Sequence, residues 1–284
     1  MEVPMFLSAC VQLRCTTNPA DNWVKLEHHC LNAAKSGARL IVTPENSTFL
    51  GPQFHKVSLS EPLGGPTTQR LQELARACGS YSGSYLLIGS IPEQACLEDG
   101  TPDPSHCYNT SIMLAPDGEL IASYRKIHLF DVEIPGGLCV RESDTIRPGQ
   151  EVVVADTELG KIGMTICYDL RFPEIFRAIV DKGADMIAVP SAFTLTTGKD
   201  HWHALLRARA IETECYVLAP GQWGTHDEEG VRKSYGHSLI VDPWGVVQAD
   251  RGEGEGCCYA EIDLEYMKRV RQSIPVREHR QLGV

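Results

Sequence analysis

Glu45, Lys126 and Cys167 each stand just past a run that reads as a β-strand, and together they form a chemical set. A cysteine sulfur is a nucleophile. A carboxylate can take its proton, and an ammonium can hold the negative charge that develops on an attacked carbonyl oxygen. A cation beside the sulfur also favours the thiolate. Taken singly, each residue has a plainer use. Cys167 can be a small buried hydrophobe, Glu45 a helix cap, and Lys126, with Arg125 and His128 close by, a solvated loop charge. No serine nucleophile competes, because G-x-S-x-G does not occur.

The elements around these residues must position them. Ile162, Met164 and Ile166 alternate with small or polar residues, which predicts a strand. Pro173 suits a first helical turn, where its missing N–H has no partner to lose, and Glu174 suits the positive helix end. Cys167 therefore falls on a tight strand-to-helix turn, the geometry that lifts a nucleophile above a sheet with backbone N–H groups nearby. Leu40-Ile41-Val42 runs into Thr43-Pro44-Glu45-Asn46, so Glu45 follows the C-terminal end of a buried strand, where α/β sheets present functional groups. Lys126 comes directly off a hairpin predicted from strands at 108–114 and 119–124 around Pro116-Asp117-Gly118.

The remaining pattern alternates strands and helices in each half. Strands are predicted at 6–13, 85–90, 152–154, 184–189, 216–219 and 257–262, with a second hairpin at 234–249. Helices are predicted through Lys35 (Trp23, Leu26, Cys30, Ala33 and Ala34 on one face, with Asn18 or Asp21 as cap), at 67–78, 173–182 and 201–213, and at 264–271 behind Asp263. Residues 93–106 and 132–149 read as loops. This order predicts an α/β fold, a four-layer α-β-β-α sandwich of two mixed sheets, as a single domain over 1–284 without an internal linker.

Composition narrows the function classes. With 43% apolar and 22% charged residues the chain is an ordinary globular protein, and a net charge of −11 argues against nucleic acid as a partner. Eleven cysteines without a C-x-x-C spacing give neither a zinc frame nor a disulfide scaffold, and fit a reducing, cytoplasmic compartment. The N-terminus lacks a basic region ahead of a long apolar one, and no apolar run is long enough to span a membrane. A mitochondrial isoform with an added leader stays open. His201 and His203, two apart on a predicted helix, point to different faces and make no metal pair. The expectation is no metal and no organic cofactor.

Pro44-Glu45, the Tyr-Arg-Lys-Ile-His-Leu-Phe-Asp run at 124–131, and Cys167-Tyr168-Asp169-Leu170-Arg171-Phe172-Pro173-Glu174 resemble the three signature regions of the carbon–nitrogen hydrolase (nitrilase) superfamily in order and spacing. The resemblance runs from Phe6 to about Arg277. It implies that Glu45 is the general base, Lys126 the oxyanion-stabilising lysine and Cys167 the nucleophile. A backbone N–H, that of Tyr168, would help hold the oxyanion, and the intermediate would be a thioester. Glu142 matches a second glutamate that positions the lysine or the substrate; its plainer use is a solvated loop carboxylate.

The segments 126–136, Pro190-Ser191-Ala192-Phe193, Thr197-Gly198 and His201-Trp202 resemble small amidases. Those at 206–213, 234–238 and 241–245 look like amidases acting on deaminated glutathione, a metabolite-repair activity, with ω-amidases as the sister group. The implied partner is a small amide bearing carboxylates. Arg171, four residues past the nucleophile, could read a carboxylate with its fork or sit in a structural ion pair. Tyr168, Phe193 and Thr197 are further substrate-binding candidates. The resemblance implies a homodimer or higher homo-oligomer. The rival from another class is a non-catalytic binding scaffold on the same fold.

Overall fold

The structure, a computed structural model, describes residues 5–133 and 139–282. The strands are β1 (Phe6–Gln12), β2 (Leu40–Val42), β3 (Tyr85–Cys96), β4 (Pro102–Leu114), β5 (Leu120–Arg125), β6 (Asp131–Glu133), β7 (Cys139–Arg141), β8 (Val154–Thr157), β9 (Gly160–Met164), β10 (Met186–Ala188), β11 (Tyr216–Ala219), β12 (Trp223–Thr225), β13 (Lys233–Tyr235), β14 (Leu239–Val241), β15 (Val247–Asp250) and β16 (Gly256–Ile262). The helices are α1 (Pro19–Lys35), α2 (Gln53–Ser58), α3 (Pro66–Ser82), α4 (Pro173–Asp181), α5 (Leu195–Thr213), α6 (Leu264–Ser273) and α7 (Val276–His279).

Two six-stranded sheets carry the fold, in the orders β16-β1-β2-β3-β4-β5 and β15-β14-β11-β10-β9-β8. Each has a parallel centre, β1-β2-β3 in one and β9-β10-β11 in the other, flanked by antiparallel strands. The two-residue side-chain period of a strand explains the layering. On the first sheet, Cys10, Val42, Leu87 and Met113 join Ile162, Met164 and Met186 of the second in one apolar core. Their neighbours Ala9, Val11, Ile41, Leu86 and Ile112 face the other way, onto Leu26 and Cys30 of α1 and Leu71 and Ala75 of α3. The second sheet is covered by Phe176 of α4 and Trp202 and Leu206 of α5. This is the four-layer α-β-β-α arrangement, with strands near continuous in apolar character because both faces are buried.

Local signals act where expected. Asn18 caps α1, its Oδ1 accepting from the N–H groups of Ala20 and Asp21, and Asp263 caps α6 by accepting from Tyr266 N–H at 2.9 Å. Four differences have physical causes. Residues 93–106 are mostly strand: the proline- and charge-rich stretch reads as loop, but buried Glu93 is held by Thr110 and Arg125, and Asp103 by Ser105 and Arg147. Helix α5 begins at Leu195, six residues early, because Thr194 caps it. Helix α2 is too short to show a period. Within 132–149, short strands β6 and β7 pair and residues 142–144 form a 3₁₀ turn; residues 134–138 of that stretch lie outside the described residues. No described helix is long and apolar enough to cross a membrane.

Candidate active site

The site lies where the two sheets meet. Glu45 follows β2 on a loop pinned by Thr43 N–H to Leu87 O (2.9 Å) and Ser47 Oγ to Pro44 O (2.6 Å). Gln222 reaches across from the other sheet and donates to Glu45 O at 2.9 Å. Gly89 lets this loop come close: a Cβ there would stand 2.2 Å from Thr43 O and 2.4 Å from Pro44 O. Gly89→Ala is therefore expected to push the Glu45 loop away, lowering the thermal midpoint and cutting turnover at least about tenfold, with overpacking worth about 1–3 kcal/mol. Paired thermal-melt and turnover measurements check this.

Lys126 stands one residue beyond β5, its N–H on Asn109 O at 2.9 Å and its carbonyl accepting from Gly149 N–H at 2.8 Å. Its ammonium donates to Glu142 Oε2 at 2.8 Å and Glu45 Oε1 at 3.2 Å. Asn109 Nδ2 bridges the same carboxylates, at 2.9 Å from Glu45 Oε1 and 3.3 Å from Glu142 Oε1. The remaining oxygen of Glu45 accepts from Ala192 N–H at 2.9 Å, and Glu142 Oε2 also accepts from Phe130 N–H at 2.7 Å. All three charged side chains are 5% exposed or less, so Glu142 is a buried, fully engaged carboxylate.

Strand β9 ends at Met164, and Cys167 opens a 3₁₀ turn through Arg171 that leads into α4. Cys167 has φ of +49°, in the left-handed region, a strain of about 1–3 kcal/mol that surrounding structure must hold. Its N–H donates to Pro190 O at 2.9 Å. Fully buried Asp169 fixes the turn: it accepts from Ile166 N–H (2.8 Å), Tyr124 OH (2.7 Å) and His128 N–H (3.1 Å), with His128 Nδ1 at 2.7 Å. One carboxylate thus ties the cysteine turn to the segment carrying Lys126.

Burial alone would raise Glu45, but Lys126, Lys56, the Ala192 N–H and Asn109 outweigh it and bring the carboxyl down to about 2. Burial works against the Lys126 ammonium, yet Glu142 and Glu45 hold its pKa above the ordinary lysine value. Burial pushes the Cys167 thiol well up, Glu45 adds to this, and Lys126 only partly offsets it. The resting groups are a carboxylate, an ammonium and a neutral thiol; the depressed carboxyl and raised thiol keep the proton on sulfur until sulfur forms a new bond.

A cavity of about 660 Å³ opens over these groups, within the size range of small-molecule sites. Glu45, Lys126, Glu142 and Cys167 reach it together with Arg171, Phe193 and Thr197. Arg171 lies over the Phe193 ring at 5.2 Å and beside His201 Nδ1 at 3.3 Å, and makes no ion pair with a carboxylate among the described residues. The Tyr168 ring is not on the wall. It packs edge-on against Phe130 and Phe172, 5.1 and 5.3 Å between centroids. His201 and His203 diverge as expected, His203 turning to Asp250 at 3.0 Å. Sequence reasoning missed Asn109, Asp169, Lys56 and Arg232. Asn109 and Asp169 act by partners distant in the chain, and Lys56 and Arg232 sit in segments that read as surface.

The carbon–nitrogen hydrolase family model matches residues 7–272. A deaminated glutathione amidase of Synechocystis is 41% identical over 277 residues, 97% of this chain and 98% of that one. An omega-amidase NIT2 of Danio rerio is 39% identical over 97% of this chain and 94% of its own. Among solved structures, the C. elegans NitFhit protein superposes with a TM-score of 0.87 at 36% identity, covering 99% of this chain, which spans 66% of that longer one. With matches of this extent on a four-layer fold, the chain belongs to the carbon–nitrogen hydrolase family.

Proposed function

We propose that the protein is a cysteine amidase that hydrolyses deaminated glutathione to 2-oxoglutarate and cysteinylglycine, a metabolite-repair reaction. The observation that carries the chemistry is the convergence of Glu45, Lys126 and Cys167 on one cavity. The likeness to the Synechocystis enzyme supports the substrate. So does the cavity's charge: Lys56, Lys126, Arg141, Arg171, Arg232 and Lys233 line it against only Glu45 and Glu142, a positive surplus in a chain of net charge −11.

The mechanism follows from the resting charges. Because the thiol is neutral and Glu45 ionised, sulfur attack on the amide carbon and proton transfer to Glu45 proceed together. Lys126 and the Tyr168 N–H, at the first turn of the 3₁₀ segment where helix donors lack internal partners, hold the oxyanion. Glu142 keeps Lys126 in place. Collapse breaks the C–N bond as Glu45 returns the proton to the leaving amine, and a thioester remains on Cys167. Glu45 then takes a proton from water, which attacks the thioester; the acid departs and the thiol regains its proton.

Several further features fit this reading. The described cysteines are unbridged, as in a reducing, cytoplasmic compartment. Ile211, Trp244 and Val246 are each about half exposed, and Gly245 lies against Ile211; such an apolar patch suits the contact of a homodimer or larger homo-oligomer. The partner is a small amide, without nucleic acid or membrane.

The second reading, an ω-amidase acting on α-ketoglutaramate or α-ketosuccinamate, is favoured by the Danio rerio relative. The test is release of 2-oxoglutarate from deaminated glutathione and, separately, from α-ketoglutaramate, with Cys167→Ala as control. A higher kcat/KM on the tripeptide derivative is expected. Preference for the small amide moves the assignment to ω-amidase. No release from either leaves a binding scaffold or another amide.

A further inference from the structure

The cavity contains a cation that the reaction above leaves idle. Lys56, on α2, is 3% exposed and lines the cavity beside Glu45, Lys126 and Glu142. Its ammonium makes no hydrogen bond or ion pair within 4 Å among the described residues, although the charges of Glu142, Glu45 and Arg232 all reach it. Arg232 shares the cavity, and its guanidinium makes one such bond, Nη1 to Gly51 O at 2.7 Å. The two carboxylates nearby are already committed to Lys126, Asn109 and the N–H groups of Ala192 and Phe130.

A buried charge without a partner is costly and is normally paired. Two cations left facing one buried space therefore form a receptor awaiting an anion. Of the other spare cations, Arg141 and Lys233 are exposed, and Arg171, half-buried like Arg232, lies against Phe193 and His201. A departing amine must leave toward solvent. Lys56, at 3% exposure, is the most buried of the spare cations and so suits the part of the substrate that stays on Cys167.

We propose that Lys56, assisted by Arg232, is a carboxylate subsite for the acyl part of the substrate, so that the enzyme selects ω-amides of short dicarboxylic acids. This rests on the amidase reading, and it concerns the end that deaminated glutathione and α-ketoglutaramate have in common. The subsite would explain recognition of the acyl half, leaving the mouth of the cavity to distinguish the leaving groups.

Two measurements test it. In a Cys167→Ala background, 2-oxoglutarate binding is followed by calorimetry with Lys56, Lys56→Met and Lys56→Arg. Loss of a charge-assisted hydrogen bond predicts about ten- to a hundredfold weaker binding for Lys56→Met, with partial recovery in Lys56→Arg. With Cys167 intact, the kcat/KM ratio of α-ketoglutaramate over uncharged butyramide is expected to fall by a similar factor in Lys56→Met. Unchanged product affinity, no 2-oxoglutarate binding at millimolar concentration, or an equal loss on both amides overturns the subsite; the last would mean that Lys56 only balances Glu45 and Glu142. Lys56-dependent binding without turnover of either anionic amide overturns the amidase reading and leaves the subsite standing. Thermal melts of each variant exclude misfolding as the cause.

Discussion

Cys167→Ala is expected to lower kcat by roughly 10⁶-fold, the scale set by removing a nucleophile elsewhere. The reason is specific to this site. The buried site, with its carboxylates already engaged, offers no other residue placed to form the acyl intermediate. The fold should survive, since the substitution deletes one buried sulfur atom whose partners, Glu45 and the Ala192 N–H, stay bonded to each other. Relief of side-chain crowding at a position with φ of +49° does not arise, because alanine has the same Cβ. Mass spectrometry after rapid quench supplies the companion measurement: an acyl adduct on the wild-type cysteine peptide, and none on the variant. Residual turnover within a factor of ten of wild type would remove Cys167 from the mechanism.

Glu45→Gln is expected to cost about 10²–10⁴-fold in kcat/KM, the usual contribution of a positioned proton carrier. The single amide oxygen can accept from Lys126 and Asn109 or from Ala192 N–H but not from both sides, and the amide cannot receive the thiol proton. Stability should fall by about 1–3 kcal/mol, the cost of a buried donor left without its acceptor, while Lys126 keeps its pair with Glu142. Lys126→Met is the contrasting case. It leaves two buried carboxylates facing one another and is expected to cost about 3–5 kcal/mol of stability as well as activity, visible as a lower denaturation midpoint. The pH dependence follows from the same residue. With the Glu45 carboxyl depressed to about 2 from 4.5, its contribution to stability is complete above 4.5 and drains away as pH falls toward 2. The kcat/KM profile of the wild type should accordingly show no acid limb from Glu45 between pH 5 and 8.

What could be read without coordinates had local signatures. The helix face of α1, the hairpin ahead of Lys126 and the proline at the start of α4 all declare themselves within ten or so residues, and each was found where predicted. The candidate set Glu45, Lys126 and Cys167 was legible because each follows a strand end. Asn109 and Asp169 were not, since their use depends on partners 33 to 64 and 41 to 45 positions away. Nothing in Gln53–Ser58 distinguishes Lys56 from a solvated lysine; only burial does. The ring of Tyr168, one of the substrate-binding candidates, is directed by the turn to Phe130 and Phe172.

The division of the site between two sheets also bears on how the protein comes to life. Glu45 and Lys126 arrive on one sheet and Cys167 on the other, joined by Asp169, Ala192 and Gln222 across as many as 177 positions of chain. Such distant pairings are slow to form. A half-made chain on the ribosome can pair β1 to β5 and cover them with α1 and α3, but it lacks both Cys167 and β16, the strand that completes the first sheet. Amidase activity can begin only when the two sheets have closed on each other and brought Cys167 to the cavity that Glu45 and Lys126 line.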